Sequence, residues 1–290
     1  MSQSPQNLPE TPESHLVLTL TCPDRPGIVH AVTGAVVEAR GNITELQQFS
    51  ADSGQFFLRL QAKVNDPAVL RTRLAEISPR FDAGWNLDRV DRKVRTLILA
   101  SKAGHCLNQL LFAQRDGTLP IEVPQVLANH PNLAELADFH QVPFEHLPVT
   151  PQTKSAFEDR VRQIVAEHDV ELVVLARYMQ ILSPELCADL AGKAINIHHS
   201  FLPGFKGANP YRQAHERGVK LIGATAHFVT SELDEGPIIE QDVIRVDHSR
   251  TPSELVRIGQ DAESRTLTEA VRLFSQHRVL LDGRRTVVFS

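Results

Sequence analysis

Two short, largely apolar runs, residues 94–100 (VRTLILA) and 171–176 (ELVVLA), limit the architectures open to this chain. A strand with one wet face alternates polar and apolar residues. A strand that is apolar throughout is covered on both faces, as in a parallel sheet flanked by helices. Helical spacing at 106–114, 133–139 and 154–168 separates these runs from one another and from a further apolar run at 121–127. Ser183-Pro184-Glu185 then opens another helix, followed by strand-like segments at 194–197 and 221–229. The alternation predicts an α/β unit with a doubly wound, mostly parallel sheet and its ligands at the carboxyl ends of the strands. Thr251-Pro252-Ser253-Glu254 reads as a capping box that opens a last helix to about residue 276, and 284–289 reads as a closing strand.

The first part of the chain has a different rhythm. Residues 15–22 alternate like a strand, Pro23-Asp24-Arg25-Pro26-Gly27 makes a turn, and Ile28, Val29, Val32, Val36 and Val37 recur at helical spacing over 28–40. Gly41-Asn42 is expected to end that helix with glycine in the left-handed conformation. Strands at 43–50 and 56–64 are joined by Asp52-Ser53-Gly54. A helix from Pro67 to about 77 and a strand at 84–91 complete a ferredoxin-like β-α-β-β-α-β order. The pattern changes at Asp91-Arg92-Lys93. The expected division is a tail at 1–13, a small domain at 14–93 and a larger one at 94–290.

Composition narrows the functional classes. Hydrophobic residues make up 42% and charged residues 22% of 290, the usual balance of a soluble globular protein. No apolar run approaches the roughly 20 residues that cross a bilayer, so no membrane association is expected. The polar, Pro-rich start lacks the features of a signal peptide. Cys22, Cys106 and Cys187 lie far apart with no CxxC pair, which suits a reducing cytoplasm. A net charge of −5 without a basic stripe argues against nucleic acid as a partner.

The chemistry concentrates in residues 194–239, which hold Asn196, His198, His199, His227 and Asp234 between apolar runs. An amide, an imidazole and a carboxylate at strand ends can stabilise a tetrahedral oxyanion and move a proton. Successive residues of a strand point to opposite faces, so the neighbours His198 and His199 are not expected to share a metal, and no metal is expected. His227 reads equally as a satisfied core histidine or as a support for the reacting groups. His199 reads as structural or gating, and His105 and Cys106 as shaping the pocket.

Asn196-Ile197-His198, Ser200-Phe201-Leu202-Pro203 and Leu233-Asp234-Glu235-Gly236-Pro237 together resemble the motifs of the formyl-group transfer and hydrolysis family that uses 10-formyltetrahydrofolate. The likeness covers roughly 95–290 and implies a Rossmann-like sheet of the formyltransferase type. It implies that Asn196, His198 and Asp234 are catalytic. Met179, Gln180, Ile181 and Leu182 would hold the pterin, with Thr230, Ser231, Glu232 and Leu233 as the other wall. Within the family the resemblance is to the hydrolytic branch, which yields formate and tetrahydrofolate in one-carbon metabolism and supplies formate for purine biosynthesis. The first βα turn, Ser101-Lys102-Ala103-Gly104-His105, lacks the Gly-rich phosphate cradle of the ribonucleotide transferases, and His199 stands where those usually carry proline. No cofactor is implied. Lys102, Lys206 and Arg212 are candidates for the glutamate tail of folate, and Lys206-Gly207-Ala208-Asn209 for the loop that blocks an amine site.

The first domain resembles an ACT domain, a regulatory module. That implies an amino-acid effector such as glycine or methionine at Asp24, Gly27, Ile28 and Asn42, and a homo-oligomer. The competing readings are a formyltransferase acting on an amine, and a non-catalytic folate or amino-acid sensor.

Overall fold

A computed structural model describes residues 13–202 and 210–290. Two compact units result, one running to Arg92 together with Phe289–Ser290, the other spanning Lys93–Val288.

In the first unit the order is β1 (Ser14–Pro23), α1 (Ile28–Glu38), β2 (Gly41–Ser50), β3 (Gln55–Val64), α2 (Pro67–Phe81) and β4 (Gly84–Arg89). The antiparallel sheet runs β2-β3-β1-β4, the βαββαβ arrangement expected. Its core joins Leu18, Leu20, Leu58 and Leu60 of the sheet to Val32 and Val36 of α1 and Leu70 and Leu74 of α2. Two local expectations change. Arg40 (φ 53), not Gly41, takes the left-handed conformation after α1. Gly41 is required for close approach instead, because a Cβ there would sit 2.8 Å from Val36 Cγ1. Helix α2 runs past residue 77 and Pro79 because its last turn carries Phe81 into the core.

The strand register also places the expected effector residues. Pro23, just before Asp24, pairs with Gln55 at one end of β3, whereas Asn42 pairs with Lys63 near the other. Helix α1 carries the chain back along the sheet between them. Asp24, Gly27 and Ile28 therefore share one turn, and within one chain Asn42 lies at the opposite end of the sheet.

The second unit contains β5 (Val94–Ala100), α3 (His105–Arg115), β6 (Ile121–Ala128), a 3-10 turn (Pro131–Leu133), α4 (Ala134–Phe139), β7 (Phe144–His146), α5 (Lys154–Glu167) and β8 (Leu172–Ala176). It continues with α6 (Pro184–Asp189), β9 (Ala194–His198), α7 (Pro210–Glu216), β10 (Leu221–Phe228), β11 (Ile238–Arg245), α8 (Pro252–Ser275), β12 (Val279–Asp282) and β13 (Arg285–Val288). The seven-stranded sheet is ordered β11-β10-β9-β8-β5-β6-β7. Strands β5 to β9 are parallel, and β10 and β11 are antiparallel to their neighbours. One face packs on α3 and α8 through Leu107, Leu110, Ala262 and Leu267. The other packs on α5 and α6 through Phe157, Val161 and Leu186. Every residue of β8 is buried, as its unbroken apolar sequence requires.

Strands β7, β11 and β12 and helix α7 were not expected from the sequence. Lys206-Gly207-Ala208-Asn209 lies outside the described residues. Among the described residues no helix is long and apolar enough to cross a membrane.

Candidate active site

Asn196 and His198 lie two residues apart near the end of β9, so their side chains share a face. The antiparallel neighbour β10 sets His227 opposite Asn196 and Thr225 opposite His198. His227 Nδ1 lies 2.8 Å from the Phe228 carbonyl, which can only accept, so Nδ1 carries the proton. The Asn196 amide then donates to the bare Nε2 of His227 across 3.3 Å.

Asp234 arrives from the loop after β10. Its Oδ1 is 3.1 Å from His198 Nδ1 and 3.8 Å from His227 Nε2. The hydrogen bond from His198, more than the nearby imidazole charges, holds the Asp234 carboxyl below the ordinary carboxylate range, against the opposing effect of burial. His198 is 5% exposed, and its Nε2 has no hydrogen-bond partner among the described residues. The imidazole is thus gripped at one nitrogen, and among the described residues the other has no partner.

The loop is held against the strand by backbone contacts. Phe228 N–H donates to Pro237 O (2.9 Å) and Val229 N–H to Ala194 O (2.9 Å). Asp234 itself takes a positive φ of 58°. Gly236 is there because a Cβ would lie 1.7 Å from Phe228 O. Gly236→Ala must displace the loop; a shift of about 1 Å at a catalytic group costs on the order of 10²-fold in rate. The expected result is a fall of that order in turnover with the circular dichroism spectrum retained. Full activity would show that the loop does not set the position of Asp234.

Between β8 and α6, residues 177–182 form an irregular segment held at three points. Met179 N–H donates to Ser101 Oγ (3.0 Å), Tyr178 stacks on Phe157 (5.4 Å between centroids), and Ser183 N–H donates to the buried Glu158 (2.8 Å). With the 229–234 loop this segment encloses a cavity of about 330 Å³. Met179, Gln180, Ile181 and Leu182 line one side, Thr230, Ser231, Glu232 and Leu233 another, and Asn196, His198, His227 and Asp234 its base. Met179, Ile181 and Leu233 are exposed, giving the cavity an apolar surface suited to a flat ring system.

This site lies on a fold already known in other chains. The pattern of the formyl transferase family matches residues 94–271, and that of the ACT domain matches residues 16–78. The formyltetrahydrofolate deformylase of Corynebacterium sp. (strain P-1) is 49% identical over 278 residues, covering 94% of this chain and 97% of that one. The chain belongs to the formyltetrahydrofolate deformylase family. A crystal structure of the Burkholderia mallei deformylase superposes with a TM-score of 0.92 at 50% identity, over 96% of this chain and all of that one (100%). Glycinamide ribonucleotide transformylase 1 of Symbiobacterium toebii reaches 0.64 at 33% identity and covers only 68% of this chain and 95% of its own. The deformylases therefore account for nearly the whole chain, which this transformylase does not.

Several groups of this deformylase-family site have no motif in the sequence. Thr225 Oγ1 accepts from Leu202 N–H (3.0 Å) and from Gln241 Nε2 (3.0 Å) and donates to Ser200 O (2.9 Å), tying down the segment after His198. Glu263, 1% exposed on α8, accepts from Tyr211 (2.6 Å) and contacts His105 Nε2 (2.8 Å) and Arg177 Nε (3.2 Å). Tyr211 comes this close because α8 carries Gly259, where a Cβ would lie 2.1 Å from the phenol ring. Burial pushes the Glu263 carboxyl up, but His105, Arg177 and Tyr211 outweigh it, and Glu263 is held below the ordinary glutamate range.

His199 does not point away from His198. Their rings stack at 4.8 Å and 19°, because His198 is the last residue of β9 and the pleat ends there. One trio of metal-ligand type, His105, Cys106 and Glu263, brings its ligand atoms within 4.8 Å of one another. The guanidinium of Arg177 already compensates the carboxylate there, and burial first, then Glu263, pushes the Cys106 thiol well above its ordinary range. This chemistry suits an ion network better than a cation site.

Burial lowers the pKa of His227, outweighing the Phe228 carbonyl and Asp234, which favour the charged ring. Burial disfavours the charged imidazole, so His227 stays neutral through physiological pH and titrates only below its ordinary 6.5. Nitrogen-15 NMR should show the Nδ1–H tautomer at pH 7, with a titration midpoint below the ordinary 6.5. A midpoint above 6.5, or an Nε2–H tautomer, would contradict the assignment.

Proposed function

We propose that this protein hydrolyses 10-formyltetrahydrofolate to formate and tetrahydrofolate. The observation that carries the reading is His198: Asp234 holds its Nδ1 while its buried Nε2 has no hydrogen-bond partner among the described residues. A buried polar atom of that kind calls for a partner during function. An oxyanion forming on the formyl oxygen is such a partner, with the Asn196 amide as the second donor.

In this mechanism the pterin occupies the cavity between 179–182 and 230–233, with irregular backbone available to its ring nitrogens. Water attacks the formyl carbon. The new C–O bond forms as the carbonyl pair moves onto oxygen, and Asn196 and protonated His198 stabilise that charge. Asp234 takes the proton released by the water and delivers it to N10 as the C–N10 bond breaks with its electron pair passing to N10. Formic acid leaves and ionises. Asp234 also keeps Nδ1–H of His198 aligned, which supports the imidazolium. The scheme draws on no cofactor, and a cytoplasmic setting fits its free cysteines.

Purified protein supplied with 10-formyltetrahydrofolate and no amine should release formate and tetrahydrofolate in equal amounts over many turnovers. Product formed only after an amine is added would favour a transferase, and tight folate binding without turnover a sensor.

For the ACT unit we read the 24–28 turn as the site of a small amino acid. Gly27 caps α1 at φ 96, leaving the helix N-terminus open to a carboxylate. Titration calorimetry with glycine and methionine tests this, and no heat from either would oppose it. Light scattering tests the expected homo-oligomer.

A further inference from the structure

Arg177, Met179 and His199 line the cavity of about 330 Å³ and also a second one of about 460 Å³. The second cavity is bounded further by Ala103, Tyr211 and Gln260. These shared side chains are therefore a partition between the two spaces. Its centre is the His199 ring, stacked on His198 on one flank and joined to Arg177 Nη1 at 2.6 Å through Nδ1. A guanidinium only donates, so His199 Nδ1 is the acceptor and the ring is neutral, with its proton on Nε2.

Arg177 is fixed in turn. Its backbone adopts φ 60, a conformation uncommon outside glycine, and its Nε faces the buried carboxylate of Glu263. Glu263 is also engaged by Tyr211 and His105, so the partition is anchored to α7, α3 and α8 together. A solvent-exposed arginine would have many rotamers; this one is held at both ends of its head group.

We propose that the Arg177–His199 pair, anchored by Glu263, is the specificity device of the site. It keeps the second cavity from opening onto the formyl carbon, so that water reaches that carbon and an amine does not. His199 is the screening residue, and Arg177 and Glu263 are positioning residues that act through it. The inference rests on the hydrolytic reading above. Opening the partition lets a small primary amine attack. Its lone pair forms the new C–N bond, the C–N10 bond breaks with its pair passing to N10, and the proton lost by the amine passes through Asp234 to N10.

The test measures the ratio of formylated amine to formate when 10-formyltetrahydrofolate is turned over with hydroxylamine, which is largely unprotonated at neutral pH. Native protein, His199→Ala, His199→Ser, Arg177→Lys and Glu263→Gln are compared. Native protein should give formate alone. Both His199 variants should raise the ratio at least tenfold above the native detection limit. Arg177→Lys and Glu263→Gln should shift it in the same direction by less. A ratio is insensitive to the fraction of protein folded, so loss of stability alone does not move it. A ratio unchanged from native in both His199 variants overturns the proposal. Loss of both products in both variants also overturns it, because the ring would then serve only to hold His198. Failure of the native protein to form formate without an amine contradicts the hydrolytic reading instead, a separate outcome.

Discussion

Asp234→Asn is expected to lower kcat/KM for formate release by roughly 10³-fold, a magnitude drawn from lost proton transfer and lost electrostatic support together. The substitution is nearly isosteric. The loop carrying residue 234 is held by the Phe228–Pro237 and Val229–Ala194 backbone bonds, neither of which involves the carboxylate. An asparagine oxygen can still accept from His198 Nδ1, so the imidazole keeps its orientation. The negative charge that favours an imidazolium is lost, and so is a group able to take and return a proton. Tetrahydrofolate should therefore bind with little change while turnover collapses. Steady-state kinetics with product-binding measurements on the same variant would check this. Retention of activity within about threefold of native would remove Asp234 from the chemistry, since proton transfer by a positioned side chain contributes roughly 10²–10⁴-fold.

The second large effect concerns the two donors on β9. His198→Ala and Asn196→Ala should each lower kcat by about 10²–10³-fold, the loss typical of removing one oxyanion donor. Both act on the same developing charge, so the double variant should lose less than the product of the single losses. Asn196 also donates to His227 Nε2, and its removal leaves a buried imidazole nitrogen without that contact. Asn196→Ala should therefore lower the melting temperature as well as the rate. If the two losses multiplied fully, the groups would be serving separate steps.

Much of this arrangement could be read in the sequence where a residue's role is local. Runs of mostly apolar residues identified β5 and β8 because burial on both faces leaves little room for polar residues; in β5 the buried Thr96 satisfies its hydroxyl on Val94 O. The spacing in 28–40 and 154–168 identified helices because one face of each must be apolar. Strand β7 escaped because three residues, Phe144–His146, show no period. Strand β11, Ile238–Arg245, escaped because it is an edge strand whose exposure is mixed and whose charges, Glu240, Asp242 and Arg245, keep no strict two-residue period. The groups proposed to be catalytic, Asn196, His198 and Asp234, were visible as polar residues at strand ends, beside a turn that demands glycine. Glu263 was not, because nothing around it in α8 marks it as buried; its burial comes from Arg177, Tyr211 and His105, distant in sequence. The stacking of His199 on His198 was hidden for a related reason, since the sequence does not say where the pleat of β9 stops.

The most direct test of the central claim is turnover of 10-formyltetrahydrofolate in oxygen-18 water without an amine, with the formate analysed by mass spectrometry. Attack by water at the formyl carbon predicts one solvent-derived oxygen in each formate from the first turnover, and loss of that labelled product in Asp234→Asn. Formate carrying no solvent oxygen, or labelled product formed as fast by Asp234→Asn as by the native protein, would contradict it.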